Sequence, residues 1–221
     1  MTRTGKLRVH TLSVSLDGFA AGPDQSLDEP LGVGAMELLH GWMFGTRRFR
    51  DLDEAQGVAP ADALDEAAVD AGFEGIGAWI LGRNMFGPVR GDWGDGSWQG
   101  WWGEDPPYHC DVFVLTHHPR PPLEMAGGTT FHFVTDGIEA ALDRAREAAG
   151  GLDVRLGGGA ATVRQYLRAH LVDDLRYAVV PVLLGRGERL FDGLDDLPAA
   201  YRVASVRQSS SVLHVHVEKA A

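Results

Sequence analysis

Three consecutive glycines, Gly157-Gly158-Gly159, are the residues in this chain best suited to chemistry on an anion. A short alternating segment, 153–156, leads into them. After them Val163, Tyr166, Leu167 and Leu171 recur at helical spacing. A strand that meets a helix through glycines presents bare backbone N–H groups at the positive end of the helix, which suits a pyrophosphate. The signal is weak when taken alone. GGG is not the GxGxxG fingerprint, and no Lys-Ser/Thr follows it as in a P-loop. On spacing, a tight turn of any α/β protein is an equal reading.

Other residues carry two readings each. Asp17, in Asp17-Gly18, is either a turn residue or a carboxylate at the end of a central strand. Arg83 follows the apolar segment 78–81 and is either a solvated cation or a phosphate clamp. His117 and His118 come just after the segment 111–115. Adjacent side chains of an extended segment diverge, so a loop beside a phosphate fits them better than a metal. His214 and His216 share one face of a terminal strand, read as an exposed or interface face. Residues 90–107 hold Trp93, Trp98, Trp101 and Trp102 among glycines and acids, with neither helical nor strand period. They form an ordered loop, stapled to the core by its indoles, or else an aromatic wall or a subunit contact.

The elements that must position these residues follow from periodicity. Strands are predicted over 7–19, 78–81, 111–115, 130–134, 153–156 and 175–184. The last is a Val-rich run, as expected of a strand covered on both faces. Helices are predicted over 35–48, from Pro60 to a stop at Gly72, and over 138–149, the last with an Asp136/Glu139 capping box. The first of these is apolar all round, which calls for cover by another element or a second subunit. Residues 201–207 and 212–218 form a hairpin around Ser209-Ser210-Ser211. The order implies an α/β fold: one mostly parallel central sheet flanked by helices, with a C-terminal antiparallel hairpin.

Composition narrows the classes. The 221 residues fit a single domain over 1–221, and a formal net charge of -11 argues against nucleic acid and anionic membranes as partners. One cysteine, Cys110, excludes an internal disulfide and a cysteine-based zinc site, and no metal site is predicted. Residues 1–7 are polar and no apolar run approaches a membrane span, so the expected location is cytoplasmic.

Several segments together resemble one family. VSLDGFAAG, ILGRNMFG, VFVLTHHPRPPL and LGGGAATVRQYLRAHLVDDLRYAVVPVLLGRGERLF occur in the order found in the reductase domain of bacterial riboflavin-biosynthesis deaminase-reductases, within the dihydrofolate-reductase-like superfamily. The resemblance runs from about residue 7 to 191. Within it, the chain is most similar to standalone reductase-like proteins with a WGDGSWQGWWGEDPPYH-type insertion.

The resemblance implies a dihydrofolate-reductase-like fold, an NADPH cofactor and hydride transfer to a small-molecule substrate. It assigns Gly157, Gly158, Gly159, Ala160 and Ala161 to the pyrophosphate turn, and Gly82, Arg83 and Met85 to a second phosphate-side turn. Thr116 and His117 fall near the adenosine 2′-phosphate, Leu184 and Gly185 beside the nicotinamide, and Asp17 at the reaction centre as the candidate catalytic residue. Ser13 and Ser15 are its possible helpers, and a homodimer is implied. The sequence departs from the family at Leu156, where a glutamate often stands, and no segment resembles the fused deaminase half. These departures leave the hydride donor better supported than the substrate, a small heterocyclic or carbonyl compound whose default by kinship is 5-amino-6-(5-phosphoribosylamino)uracil. The alternatives are dihydrofolate-reductase-like activity, a nucleotide-binding protein without turnover, and a dimeric scaffold that uses its tryptophan loop as an interaction surface.

Overall fold

A computed structural model describes residues 5–52, 55–87 and 91–220. In chain order, β1 (Leu7–Ser15) and β2 (Phe19–Ala21) precede α1 (Ala35–Phe44) and α2 (Ala63–Phe73). Then come β3 (Ile76–Gly82), α3 (Arg83–Phe86), β4 (Asp111–Leu115), β5 (Leu123–Glu124) and β6 (Thr130–Val134). Next are α4 (Ile138–Ala149), β7 (Asp153–Leu156), α5 (Ala160–Arg168) and β8 (Asp174–Val180). The order is completed by β9 (Glu188–Arg189), α6 (Leu197–Ala200), β10 (Tyr201–Gln208) and β11 (Leu213–Lys219).

The main sheet runs β10-β11-β8-β1-β7-β3-β4-β6-β5. Its six central strands, β8 to β6, are parallel, while β10, β11 and β5 are antiparallel at the edges. β2 and β9 form a separate two-stranded ribbon. Alternation on β1 shows how the layers form. Leu7, Val9, Leu12 and Val14 join the core that also holds Leu142, Val163 and Tyr166 of α4 and α5. Arg8, His10 and Ser13 face the other way, toward α1 and α2. A bulge between Val9 and Leu12, with Thr11 at φ 55, restores the phase. The chain leaves β1 over the α1/α2 face and returns from β7 to β8 through α5 on the opposite face. The direction of winding therefore reverses beside β1, and open α/β sheets bind ligands at the carboxyl ends of such strands.

The structure changes several sequence expectations. β8 ends at Val180 rather than at residue 184, because Pro181 removes a ladder donor. β1 ends at Ser15, where the side chains of Ser15 and Asp17 take over the hydrogen bonding. α1 stops at Phe44, short of 48, and is capped by Gly45. α2 begins beyond Pro60, with Asp62 as N-cap accepting from the amides of Leu64 and Asp65, and runs one residue past Gly72. The Asp136/Glu139 capping box is absent: Gly137 is the N-cap of α4, and Asp136 instead binds Arg144. Arg90, at the start of the predicted tryptophan loop, lies outside the described residues, as do residues 1–4 of the polar leader.

The face of β11 that carries His214 and His216 is covered, not exposed. His214 Nε2 lies 2.7 Å from Asp65 Oδ1 on α2, and its ring packs edge-on against Trp42 of α1. Buried carboxylates, invisible to periodicity, give these imidazoles partners under the helices. Trp42 and Leu39 of α1 pack with Val69 of α2 and Val180, so the apolar helix finds its cover within the chain.

His40, buried in the same layer near Ser13 Oγ, is held down to about pKa 4 by burial. The unfolded imidazole titrates near 6.5, so below that pH the unfolded chain binds more protons than the fold. Stability is expected to fall as pH drops from 6.5 to 4, by about 3 kcal/mol from this group. Urea unfolding at pH 7 and pH 5 checks this. His40→Gln should shrink the difference between the two pH values, and an unchanged difference contradicts the assignment.

Candidate active-site crevice

Five parallel strands end side by side in the order β8, β1, β7, β3, β4. Each delivers one group of candidate residues just beyond its carboxyl end. At about 4.8 Å per strand, the row spans roughly 19 Å.

The glycine turn after β7 lies at the middle of the row. Gly157 packs so closely on Leu81 that an added Cβ would lie 2.5 Å from its Cδ2. Gly158 has φ +111, which glycine alone adopts without strain, and its carbonyl accepts from the Gly82 amide at 2.7 Å. The peptide between Gly158 and Gly159 is cis. Gly159 is the N-cap of α5 and brings no capping side chain, and nothing lies within 4 Å of the Cβ direction there. The first-turn amides at Ala160 and Ala161 have no carbonyl within their own helix to donate to. No acidic residue stands in that turn, and Ala161 is exposed. This cradle fits a diphosphate: free N–H groups, the positive helix end, and space where side chains would be.

Gly82 and α3 form the neighbouring turn. An added Cβ at Gly82 would strike Thr162 Oγ1 at 2.2 Å, so glycine is required here by space rather than by backbone angle. Met85 reaches toward Gly158, its sulfur 3.8 Å from that Cβ position. The Arg83 guanidinium stacks on Trp93, 3.2 Å from the ring centre. Burial lowers its pKa to about 10, helped by the nearby Arg120, and it stays charged at neutral pH. Arg120 also approaches Trp93, at 5.1 Å, and donates to the carbonyls of Trp98 and Gly96. The tryptophan loop is stapled as the sequence suggests. The indoles of Trp93, Trp98 and Trp101 donate to the carbonyls of His118, Phe86 and Asn84. At the end of β4, Thr116 is buried, with its amide bound to Val134, while His117 is exposed.

Asp17, half-buried beyond β1, is tied to the turn after β8. Oδ1 accepts from Ser15 Oγ at 2.6 Å and from Leu184 N at 3.1 Å; Oδ2 accepts from Gly185 N at 2.7 Å. The Ser15 hydroxyl, then the Gly185 and Leu184 amides, hold its pKa down to about 2 against desolvation. Arg189 donates to the Asp17 carbonyl at 2.6 Å and lies over Phe19. Ser15 is thus a direct partner of Asp17, while Ser13 accepts from Trp42 Nε1 deeper in the fold.

Sequence reasoning missed Arg120, Arg189, Thr162 and the Asn84–Gln25 hydrogen bond that joins α3 to the loop after β2. Only Arg120, in HHPRPP, had any signal, as a second cation near Arg83. Among the described residues no group of three or more His, Cys, Asp or Glu could hold a metal ion, and no helix is long and apolar enough to cross a membrane. The partly open cavities under α2 and at the amino ends of the strands touch none of the crevice residues. Strand ends and free backbone amides define the crevice.

The profile of the RibD C-terminal domain matches residues 9–215. No curated protein matches the chain. Solved structures share the fold. One is a protein assigned to riboflavin biosynthesis from Shewanella sp. PV-4, with TM-score 0.59 and 19% identity, covering 98% of this chain and 99% of that one. Dihydrofolate reductase from Enterococcus faecalis, complexed with NADP(H), aligns at TM-score 0.52 and 13% identity over all of both chains (100% of each). A Thermotoga maritima diaminohydroxyphosphoribosylaminopyrimidine deaminase/5-amino-6-(5-phosphoribosylamino)uracil reductase aligns at TM-score 0.56 and 14% identity. That alignment covers 98% of this chain and 57% of the longer protein.

Proposed function

The chain belongs to the RibD C-terminal domain family, and from that premise we propose that it is an NADPH-dependent reductase of a small heterocyclic substrate. The substrate by kinship is 5-amino-6-(5-phosphoribosylamino)uracil or a close relative of it. The observation that carries this reading is the row of five strand ends centred on the uncapped amino end of α5.

The order of the row supports the following division of parts. Gly158 to Ala161 hold the diphosphate at the middle. His117 and the cations Arg83 and Arg120 lie on the β3/β4 side and receive the adenosine 2′-phosphate, with buried Thr116 holding the turn beneath them through His118 N, which favours NADPH over NADH. Leu184, Gly185 and Asp17 border the nicotinamide on the β8/β1 side. When bound, the cofactor supplies the hydride; the chain orients it and limits water.

A carboxyl with pKa about 2 is ionised at neutral pH, which suits Asp17 to positioning, with the proton supplied by another acid or an ordered water. Three of its roughly four acceptor sites are engaged by Ser15, Leu184 and Gly185. The remaining one suits an N–H of the nicotinamide carboxamide or of the substrate.

Tryptophan fluorescence tests the reading, because Trp93 lies against Arg83. Titration with NADPH should quench emission saturably, and NADH should do so only weakly. Consumption of NADPH on addition of the aminouracil substrate then establishes turnover. Equal response to both dinucleotides would remove the 2′-phosphate assignment, and binding without consumption would leave a nucleotide-binding protein.

A further inference from the structure

Away from the crevice, a cavity of about 220 Å³ lies between α2 and the strands β8, β11 and β10. Cross-strand register explains its lining. His214 pairs with Arg207 on one side and Ala178 on the other, and His216 with Ser205 and Arg176, so these side chains share one sheet face. The roof is the small-residue stripe of α2, where Ala67 and Ala68 leave the space unfilled. The roof is pinned at two points: Asp62 Oδ2 accepts from Ser210 N at 2.7 Å, and Asp65 binds His214.

The charge of this cavity opposes that of the molecule. Formal net charge is -11, yet the cations Arg176 and Arg207 line the cavity beside the imidazoles of His214 and His216 and, among the described residues, no carboxylate does. The nearby acids lie behind the lining and are engaged there except for Asp65 Oδ2, which is buried without a hydrogen-bond partner. Asp174 is bound by His10 and Arg176, and Asp65 Oδ1 by His214. His216 Nε2 is 3.4 Å from Asp174 Oδ1 and makes no hydrogen bond. Arg207, on the exposed edge strand, has no hydrogen-bond or ion-pair partner among the described residues. Opposite these donors lie Trp42, Leu64, Ala67 and Ala68, an apolar wall.

We propose that this cavity is a second ligand site, for a small organic carboxylate with an apolar body. The carboxylate meets Arg207 and the two imidazoles, and the body lies under α2 against Trp42. The volume is below the ~300–1,000 Å³ usual for drug-sized ligands, so the ligand is small. A dinucleotide does not fit, which separates this site from the crevice.

Isothermal titration with benzoate tests the proposal. Saturable binding is expected, weakened about tenfold or more by Arg207→Gln through loss of a charged hydrogen bond. Quenching by NADPH should be unchanged in that variant and in the presence of benzoate. The cross-peaks of the His214 and His216 imidazoles should move with benzoate and not with NADPH. Four results would each overturn the proposal: no saturable heat at millimolar benzoate, unchanged affinity in Arg207→Gln, competition between benzoate and NADPH, or inorganic phosphate binding in preference to benzoate.

Discussion

Ala161→Glu is expected to abolish cofactor binding while leaving the fold as stable as before, or slightly more so. Residue 161 is exposed in the first turn of α5, where glutamate is a good helix former and complements the positive helix end. The same carboxylate would stand roughly 5 Å from a phosphate held in the proposed cradle, and at an effective dielectric constant near 20 the repulsion would be about 3 kcal/mol, a hundredfold or more in affinity. Gly158→Asp should be at least as damaging to binding, but its φ of +111 makes any side chain there strained, so stability falls as well. Using both variants separates lost binding from lost folding. Fluorescence titration with NADPH and a thermal melt of each provide the readings. An Ala161→Glu protein that binds NADPH like the parent contradicts the placement of the diphosphate.

Asp17→Asn is expected to lower turnover by on the order of a hundredfold, the scale of a 1 Å misplacement of bound reactants. An amide cannot accept on both sides, so its NH2 confronts either the Gly185 N–H or the pair formed by Leu184 N and Ser15 Oγ. The turn proposed to border the nicotinamide then loosens, while the proposed diphosphate cradle, two strands away from that turn, is untouched. NADPH affinity should change little. With a pKa of about 2 in the parent, the rate should show no limb from this carboxyl between pH 5 and 8. A limb in that range that disappears in Asp17→Asn would make Asp17 the proton donor after all. The depressed pKa also bears on stability: folding gains from ionised Asp17 above pH 3.8, and that gain is lost as pH falls toward 2.

The sequence made the glycine turn, the neighbouring strands and the helix α4 legible because a clean period meets a glycine stop, whereas α5, with no glycine after it, ends at Arg168 and leaves Leu171 of the predicted period outside the helix. Asp153–Leu156 followed by three glycines marks a strand running into a turn, though not what the turn binds. What it hid were effects set by partners distant in the chain. His214 and His216 read as a polar outer face, yet Asp65, 149 residues from His214, turns that face inward. Arg155 sits in a strand where it could point to solvent. Instead it is buried, donates to the Gly72 carbonyl at 2.6 Å and lies against Trp79 and Phe73. Asp17-Gly18 carried the same ambiguity, since a turn residue and a site carboxylate have the same spelling. Only the Leu184 and Gly185 amides, brought over by β8, show which donors it meets. The ribbon of β2 and β9 was missed because three-residue and two-residue strands have no period to detect.

The central claim is that the backbone amides from Gly158 to Ala161 grip the diphosphate of NADPH. Amide chemical-shift mapping during an NADPH titration tests it residue by residue. The account predicts the largest shifts at Gly158, Gly159, Ala160 and Ala161, with smaller ones at Gly82 and Gly185. Shifts confined to the cavity under α2, or to the amino ends of the strands, with the glycine amides unmoved, would contradict it.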